Sequence, residues 1–440
     1  MLRRLDLRGS VQDVRSVLPR PTVAGEGPLE EVRAILADVR QRGDIALLEM
    51  TSRFDGADLE TIRVDPAEVA AAPGRVQPGV LEALEVAAEA VRRHHVGQVR
   101  SERRTEEDGL VIRSLSRPVE RAGCYAPGGR AAYPSTVLMT AVPARVAGVD
   151  EGVLCVPPGT DGRIADVTLA AAAVAGVDAV YAVGGAQAVA AMAYGTETVP
   201  AVDVIVGPGS VYVALAKREV AGHVGIPSAF AGPSEVVVVA DASVPAPFAA
   251  VDVVVQAEHG PNGLAWLVTW DEAVAEAVEA EVVRMVAEAP RREDITATLA
   301  DAGWSVLVDG PDQALAVADA IAPEHLQLMV DDAEALAERV RHAGAVFCGP
   351  WSPASLGDYV AGPSHVLPTA GTARFSGALT VADFTKEVHV VTADEGALRR
   401  LAPHVVALAE AEGLDAHARS VRIRTETGEG NDGSAPHLPA

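Results

Sequence analysis

Short apolar runs alternate with helical patterns through most of the chain. Between residues 120 and 235 the runs VLCVPP, AVYAVGG and VDVIVGPG are separated by Ala-rich segments with helical character. EVVVVAD and LAWLVTW follow between residues 235 and 270, and WSVLVDG and AGAVFCG come later. Strands that alternate with helices are typical of a parallel sheet with helices on its faces. The pattern therefore predicts an α/β fold built on parallel sheets.

Amphipathic helices are predicted towards both ends of the chain. Residues 28–43 carry apolar side chains at helical spacing and end at Gly43, a favoured helix stop. Similar patterns predict a helix over about 79–95 and a helical section over about 394–423. Residues 100–118 are rich in charge and contain only short apolar patterns, and EEDG is predicted to form a turn.

The stretch from Val167 to Gly195 is long and nearly free of charge until its last residues. Ala and Gly dominate it, and GGAQ interrupts it at residues 184–187 where a membrane span would need Leu or Ile. We therefore predict a buried helix, a strand and a second helix in this stretch.

Composition and charge narrow the possible functions. The 440-residue chain has a net charge of −25, which argues against nucleic acid as a partner because a polyanion is bound by clustered Lys and Arg. Cys124, Cys155 and Cys348 are odd in number and lack metal-binding spacing, so they are interpreted as small buried apolar residues in a reducing compartment. The opening MLRRLDLRGS lacks the apolar stretch of a secretory signal, so a cytoplasmic location is expected.

The segment VVVQAEHGPNG places polar side chains at the end of an apolar run. If residues 251–259 are helical, Gln256 and His259 share a face at a spacing that suits two ligands of one ion. The alternative is a helix end whose polar residues meet solvent, and the motif alone leaves both open. The following Gly-Pro-Asn-Gly stops the helix, so the pair lies at an element end, where sites tend to be placed.

Further acid/base residues lie at other element ends. Glu324 and His325 follow Ala322-Pro323 and precede an apolar run, so they stand at the start of a structured segment. Asp358 follows Ser-Leu-Gly, and His365 lies in the loop AGPSHVLP, which Gly and Pro keep irregular. These positions are candidates for catalysis or metal binding.

Near the C-terminus, Glu412 precedes Gly413, a predicted helix stop. His417 lies in the first turn of a new helix for which Asp415 is the predicted cap. These two side chains are again placed at element ends.

Two Gly-rich loops could hold an anion. GGAQ (184–187) and GPGS (207–210) each join a strand to a helix, and such junctions turn backbone N–H groups towards a pyrophosphate. Alone this is a weak signal. The G-x-G-x-x-G match at Gly428, Gly430 and Gly433 is rejected, because no helix follows it in this polar tail.

Taken together, these segments resemble one family. QAEHGPNG, APEHLQL, SLGDYVAGPSHVLPT, FSGALTVADFTK and EGLDAHARS, in this order, are similar to histidinol dehydrogenase, a zinc- and NAD-dependent enzyme of histidine biosynthesis. RGDIALLEMTSRFDG, AGCYAPGGRAAYPSTVLM and AGPSEVVVVAD resemble it as well. The resemblance covers nearly the whole chain except about the last fifteen residues.

The resemblance implies a set of site residues. The zinc ligands would be Gln256, His259, Asp358 and His417. Glu324 and His325 would be the catalytic acid/base pair. Substrate contacts would come from these zinc ligands, His325, Ser234, His365 and Glu412. The NAD site would be lined by Tyr125, Gln187 and Ser210, although the family usually has Asn at the last position.

The resemblance also implies the architecture. It indicates two Rossmann-like parallel-sheet domains in an intertwined homodimer, with His417 and Glu412 supplied by the neighbouring chain. The expected division is an N-terminal arm (1–23), a first domain (24–120 with 235–380), a second, NAD-side domain (121–234), a C-terminal helical segment (381–423) and a disordered tail (424–440).

The expected reaction is a four-electron oxidation of L-histidinol to L-histidine through bound L-histidinal, with two NAD consumed and one zinc per subunit. His325 would take the hydroxyl proton, and Glu324 would activate water for the second step. The alternatives are a related zinc dehydrogenase acting on another small amino or sulfonated alcohol, a zinc hydrolase, and a non-enzymatic binding protein. The Glu and His residues of the recognition loops favour a cationic or imidazole-bearing substrate over a sulfonate.

Overall fold

The computed structural model describes residues 1–10, 13–19, 27–128, 131–227, 234–258 and 263–426. Its strands are β1 Arg3–Asp6, β2 Arg103–Glu107, β3 Leu110–Pro118, β4 Arg121–Tyr125, β5 Glu151–Val156, β6 Ala179–Ala182, β7 Val204–Val206, β8 Glu235–Ala240, β9 Leu264–Thr269, β10 Gly303–Leu307, β11 His325–Met329, β12 Ala345–Cys348 and β13 Thr385–Ala393. Its α-helices are α1 Val14–Val17, α2 Leu29–Arg42, α3 Asp44–Asp55, α4 Pro66–Ala71, α5 Pro78–Val96, α6 Pro134–Ala147, α7 Asp166–Ala175, α8 Gly185–Tyr194, α9 Val211–Val220, α10 Ala246–Ala257, α11 Glu272–Glu288, α12 Arg292–Ala302, α13 Pro311–Ile321, α14 Ala333–Ala337, α15 Ala354–Tyr359, α16 Glu395–Ala411 and α17 Asp415–Glu426. Short 3₁₀ helices cover Ala72–Arg75, Thr372–Arg374 and Val381–Phe384.

Some predicted features lie outside these ranges. His259 is one of them, and so are Gly428, Gly430 and Gly433. The expected tail began at residue 424, whereas α17 continues to Glu426.

The described chain forms two compact units. The first comprises Met1–Val99 and Pro118–Phe384, and the second comprises Arg100–Arg117 and the chain from Thr385 onward. The first unit contains two parallel sheets, called here the smaller and the larger sheet. The predicted α/β class with parallel sheets is confirmed.

The smaller sheet has the strand order β6-β5-β4-β7, and its strands run parallel. Alternate residues face opposite sides. Tyr125 and Cys155 join a core with α2, α8 and α9, whereas Cys124 and Leu154 join a core with α5, α6 and α7. Strands covered on both faces are continuously apolar, which explains the unbroken runs in this region. Cys124 and Cys155 are buried as predicted, and burial raises the pKa of the Cys124 thiol to about 12.

The larger sheet has the order β1-β10-β9-β8-β11-β12, again with parallel strands. Its cores include Val253, Val282 and Leu299 from α10–α12 on one side and Leu315 and Leu336 from α13 and α14 on the other. The edge strand β1 was not predicted, because its sequence RRLD is short and polar. Backbone pairing with β10 holds it in the sheet.

The helices between residues 29 and 96 pack against the smaller sheet. Val32 and Leu47 share one core with β4–β7, and Leu84 and Val91 share the other. The expected division had instead grouped residues 24–120 with the strands of the larger sheet. Amphipathic patterns fix which helix face is buried, but they do not say which sheet covers it.

The stretch around residues 167–195 folds as α7, β6 and α8, which confirms the predicted helix, strand and helix. Its Ala-rich helices are almost wholly buried in the smaller sheet's cores. Within the described ranges, no helix combines the length and apolar composition needed to cross a bilayer.

The second unit combines a small sheet with a helix pair. β2 and β3 form an antiparallel hairpin that turns at Asp108 and Gly109, where a turn was predicted, and β13 pairs with β3. The expected helical section is present as α16 and α17. The segment over 381–423 that was expected to be helical also contains the nine-residue strand TKEVHVVTA.

Candidate active site

The acid/base residues lie at the edge of the larger sheet where its strands begin. β8 and β11 start side by side, with His325 in register with Val236 and, on its other side, Ala345. Ala322 adopts a left-handed conformation with φ of 55° and ends α13, so the chain reverses into β11 at this point. Ligands of open α/β sheets usually bind at the opposite, carboxyl edge. Glu324 and His325 therefore occupy an unusual edge for such a fold.

Glu235 holds Glu324 and His325 through its backbone. Its N–H donates to Glu324 Oε2 at 3.0 Å, and its carbonyl accepts from His325 Nδ1 at 3.2 Å. Because a carbonyl can only accept, Nδ1 carries hydrogen and Nε2 is left for proton transfer. His325 Nε2 lies 3.4 Å from Asp358 Oδ1. The strand pairing of the larger sheet thus sets the tautomer of His325.

Burial and crowded carboxyl groups perturb the acidities of this cluster. Burial raises the pKa of Glu324, and it raises the pKa of Glu235, which the negative charge of Glu324 raises further. Burial alone would lower the pKa of His325, but the carboxylates of Glu324 and Asp358 outweigh it and raise that pKa. Such perturbed groups are typical of sites that transfer protons.

The C-terminal end of α10 approaches Asp358. Tyr359 follows Asp358 directly, and its pKa is raised by burial and then by the charges of Asp358 and Glu258. Earlier in α10, the ring of Phe248 lies 5.9 Å from that of Trp351, in the segment that leads into α15. The segments that carry Gln256 and Asp358 therefore interact through the charge of Glu258 on Tyr359 and through the ring contact of Phe248 with Trp351.

Gln256 is buried in the last turn of α10. It is 4% exposed, and its Nε2 has no hydrogen-bond partner among the described residues. The helix begins at Ala246 and ends at Ala257, so Gln256 is helical while His259 follows beyond the described end. In the described part of the chain, no group of three or more His, Cys, Asp and Glu side chains is arranged to hold a metal ion.

His365 connects the two sheets of the first unit. Its Nδ1 donates to the Asp358 carbonyl at 2.9 Å, and its Nε2 lies 3.2 Å from Thr136 Oγ1 on α6. Ser234 precedes β8, and its carbonyl accepts from Leu264 N–H at 3.1 Å. His365 thus lies next to Asp358, and Ser234 directly precedes Glu235, which contacts Glu324.

The predicted NAD-lining residues follow strands of the smaller sheet, at its carboxyl edge. Tyr125 ends β4, and its hydroxyl accepts from Gly185 N–H at 3.1 Å. Gln187 lies in the first turn of α8 and is 2% exposed. Ser210 occupies the N-cap position of α9, and its side chain makes no capping hydrogen bond.

A buried lysine supports the loop before Ser210. Lys217 on α9 is 2% exposed, and its Nζ donates to the Gly207 carbonyl. Gly207 has φ of 108°, and a Cβ at this position would lie 2.0 Å from the Tyr125 carbonyl oxygen. Only glycine fits this close approach. Lys217 and Gly207 therefore fix the loop against the end of β4.

Glu412 and His417 lie in the second unit. Glu412 is the C-cap of α16 and precedes Gly413, which has φ of 72° and ends the helix as predicted. His417 lies in the first turn of α17. That helix begins at Asp415 itself, so Asp415 belongs to the helix and does not precede it as its cap.

Sequence reasoning missed Glu235 and Thr136. Glu235 was quoted within a motif but given no role, although a charged residue that opens the apolar run EVVVVA is a visible signal. Thr136 is a small polar residue in a mostly apolar helix, and this sequence feature indicates no function, so only the fold identifies its contact with His365.

Comparisons with known proteins point to one family. The histidinol dehydrogenase family model matches residues 18–425. The chain is 48% identical to the histidinol dehydrogenase of Moorella thermoacetica over 407 residues, which cover 92% of this chain and 96% of that protein. It is 46% identical to that of Gluconobacter oxydans over 430 residues, covering 97% of this chain and all of that protein. The crystal structure of histidinol dehydrogenase from Elizabethkingia anophelis matches with a TM-score of 0.92 and 33% identity, covering 97% of this chain and 98% of that one. The order and length of the motifs, the two parallel sheets and these matches agree, and the chain belongs to the histidinol dehydrogenase family.

Proposed function

We propose that this chain oxidises L-histidinol to L-histidine through bound L-histidinal, in a zinc- and NAD-dependent reaction. The observation that carries the proposal is the cluster of the buried Glu324 and His325 with the half-buried Asp358 at the amino edge of the larger sheet. The family's place in histidine biosynthesis supports the substrate and the expected cytoplasmic location.

His325 is the proposed base. Its Nδ1–H is held by the Glu235 carbonyl, so Nε2 is the atom that accepts the hydroxyl proton of the alcohol. If Asp358 held a metal ion, its negative charge would no longer raise the pKa of His325, and the neutral, proton-accepting form would be favoured. The chemistry requires this base in both oxidation steps.

Glu324 is the proposed group that activates water. The aldehyde must add water before its carbon can lose a second hydride, and a carboxylate beside His325 can take the proton of that water. Burial raises the pKa of Glu324 towards the range in which a carboxyl group serves as a base near neutral pH. The Glu235 N–H fixes one oxygen of Glu324 and leaves the other for water.

Gln256, His259, Asp358 and His417 would hold the zinc ion. One amide oxygen, one carboxylate and two imidazoles suit zinc, a cation between hard and soft in its ligand preference. Gln256 is buried in the last turn of α10, and its amide oxygen, rather than the NH₂ group that lacks a partner in the described part of the chain, would bind the ion. Zinc supplies orientation and positive charge and takes no electrons.

The remaining predicted contacts complete the proposal. Tyr125, Gln187 and Ser210 would line the site of NAD, which takes up hydride. Ser234, His365 and Glu412 would contact histidinol. We further propose a homodimer in which Glu412 and His417 complete the neighbouring chain's site.

The stoichiometry of NADH formed per histidinol consumed tests this proposal. We expect two NADH per histidinol, loss of the reaction on treatment with a chelator, and recovery on addition of zinc. One NADH with accumulating histidinal would refute the four-electron reaction. NADH formation only with a different alcohol would refute the substrate.

A further inference from the structure

An acidic side chain lies one helical turn before Gln256. Asp252 on α10 is 5% exposed and Gln256 is 4% exposed, so both are buried in the same helix. Neither Asp252 Oδ2 nor Gln256 Nε2 has a hydrogen-bond partner in the described part of the chain. The ionised Asp252 Oδ2 can only accept a hydrogen bond, and Gln256 Nε2 can only donate one.

Helix geometry places the two side chains on the same face of α10, one turn apart. Residues four apart lie on one face of a helix, and Gln–Asp hydrogen bonds form at this spacing. Helical side chains lean towards the N-terminus, so the Gln256 side chain extends over the turn that carries Asp252. α10 itself is fixed, because Ala249, Val253 and Ala257 pack into the core of the larger sheet.

Among the described residues, no opposite charge compensates Asp252. Burial raises the pKa of its carboxyl group to about 6, with no other cause. A buried polar group left unpaired costs about 1–3 kcal/mol. A buried carboxylate and a buried amide that both lack a partner on one helix face are therefore a costly arrangement, which a hydrogen bond between them would relieve.

A glutamine that binds a metal uses its amide oxygen, and its NH₂ group then needs an acceptor on the other side. We propose that Asp252 is a positioning residue of the metal site: it accepts a hydrogen bond from Gln256 Nε2 and so directs Gln256 Oε1 towards the ion. The inference rests on the proposed metal-binding role of Gln256. Partners that orient a metal ligand in this way typically contribute 10- to 100-fold to metal affinity, on the order seen in other metalloproteins.

Two substitutions separate orientation from packing. Asp252→Leu keeps the approximate size of the side chain and removes the acceptor, whereas Asp252→Asn keeps an acceptor oxygen. Asp55→Asn is the matched control, because Asp55 Oδ2 is also buried without a partner and burial raises the pKa of that carboxyl to about 6 as well. Asp55 ends α3, outside the proposed metal site.

The measurements are the zinc dissociation constant and the melting temperature of the metal-free, full-length protein. Zinc affinity is obtained by competition with a chromogenic chelator. We expect roughly 10- to 100-fold weaker zinc binding in Asp252→Leu, a smaller loss in Asp252→Asn, and no change in Asp55→Asn. The melting temperature of both metal-free Asp252 variants should equal or exceed that of the native protein, because each removes a buried charge that no cation among the described residues compensates.

Native zinc affinity in Asp252→Leu would overturn the inference. An equal loss in Asp55→Asn would also overturn it, since the effect would then belong to any buried carboxyl group. If the native protein itself takes up no zinc, the proposed metal site is refuted. This outcome differs from equal zinc affinity in the native protein and Asp252→Leu, which would refute only the role of Asp252.

Discussion

Replacing Lys217 by methionine should change how the stability of the protein depends on pH. Lys217 is buried, and its amine donates to the Gly207 carbonyl. Burial lowers the pKa of this amine from 10.5 to about 7 in the folded protein. Between these two values the unfolded chain holds a proton that the folded protein has released. The free energy of unfolding therefore rises with pH across this window.

The size of the effect follows from the two pKa values. Each pKa unit corresponds to about 1.4 kcal/mol, so keeping the Lys217 amine charged in the folded state costs at most about 5 kcal/mol below neutral pH. Methionine removes this cost but leaves the Gly207 carbonyl without this donor, which costs about 1–3 kcal/mol at every pH. We expect Lys217→Met to be more stable than the native protein by roughly 2 kcal/mol at neutral pH, with the advantage disappearing near about pH 9.

Urea unfolding monitored by tryptophan fluorescence at several pH values between neutral and about pH 9 tests this expectation. Lys386→Met is the control, because Lys386 is the chain's only other lysine and is exposed. Its stability should follow the native protein at each pH. A difference between Lys217→Met and the native protein that stays constant with pH would show that Lys217 does not titrate in this window and would refute the reasoning.

The other predictions concern the reaction. Glu324→Gln should retain oxidation of histidinol to histidinal but impair the step from aldehyde to acid, and oxidation of added histidinal at the native rate would contradict the proposed role. His325→Asn should lower kcat of both steps by roughly 10²- to 10⁴-fold, measured with histidinol and with histidinal; a loss confined to one step would exclude a shared base. Ser210→Asn restores the residue usual in the family and should lower KM for NAD while KM for histidinol is unchanged, because the longer amide reaches further from the start of α9.

Local patterns predicted most elements of the fold. The unbroken apolar runs of β5–β9 mark strands covered on both faces, and the stops at Gly43 and Gly413 mark helix ends. β1 and β13 escaped prediction because each is polar or weakly patterned and exists through pairing with strands distant in sequence. The assignment of α2, α3 and α5 to the smaller sheet also depends on contacts that local sequence does not encode.

The candidate site was predictable to a similar extent. Glu324, His325 and Asp358 stood out because polar residues at element ends are visible in the sequence, and the structure brings them within contact. The role of Glu235 was hidden, because its contacts with Glu324 and His325 are made by backbone atoms, which carry no residue-specific signal. The register of β8 against β11, rather than the type of residue at position 235, determines these two hydrogen bonds.

The two sheets divide the proposed work between opposite edges. The acid/base cluster stands where strands of the larger sheet begin, whereas Tyr125, Gln187 and Ser210 follow strand ends of the smaller sheet. A reaction that consumes two nicotinamides must exchange one of them midway while a reactive aldehyde stays behind. If NAD binds at the smaller sheet and the aldehyde at the larger one, as proposed, NAD could leave while the aldehyde stays bound.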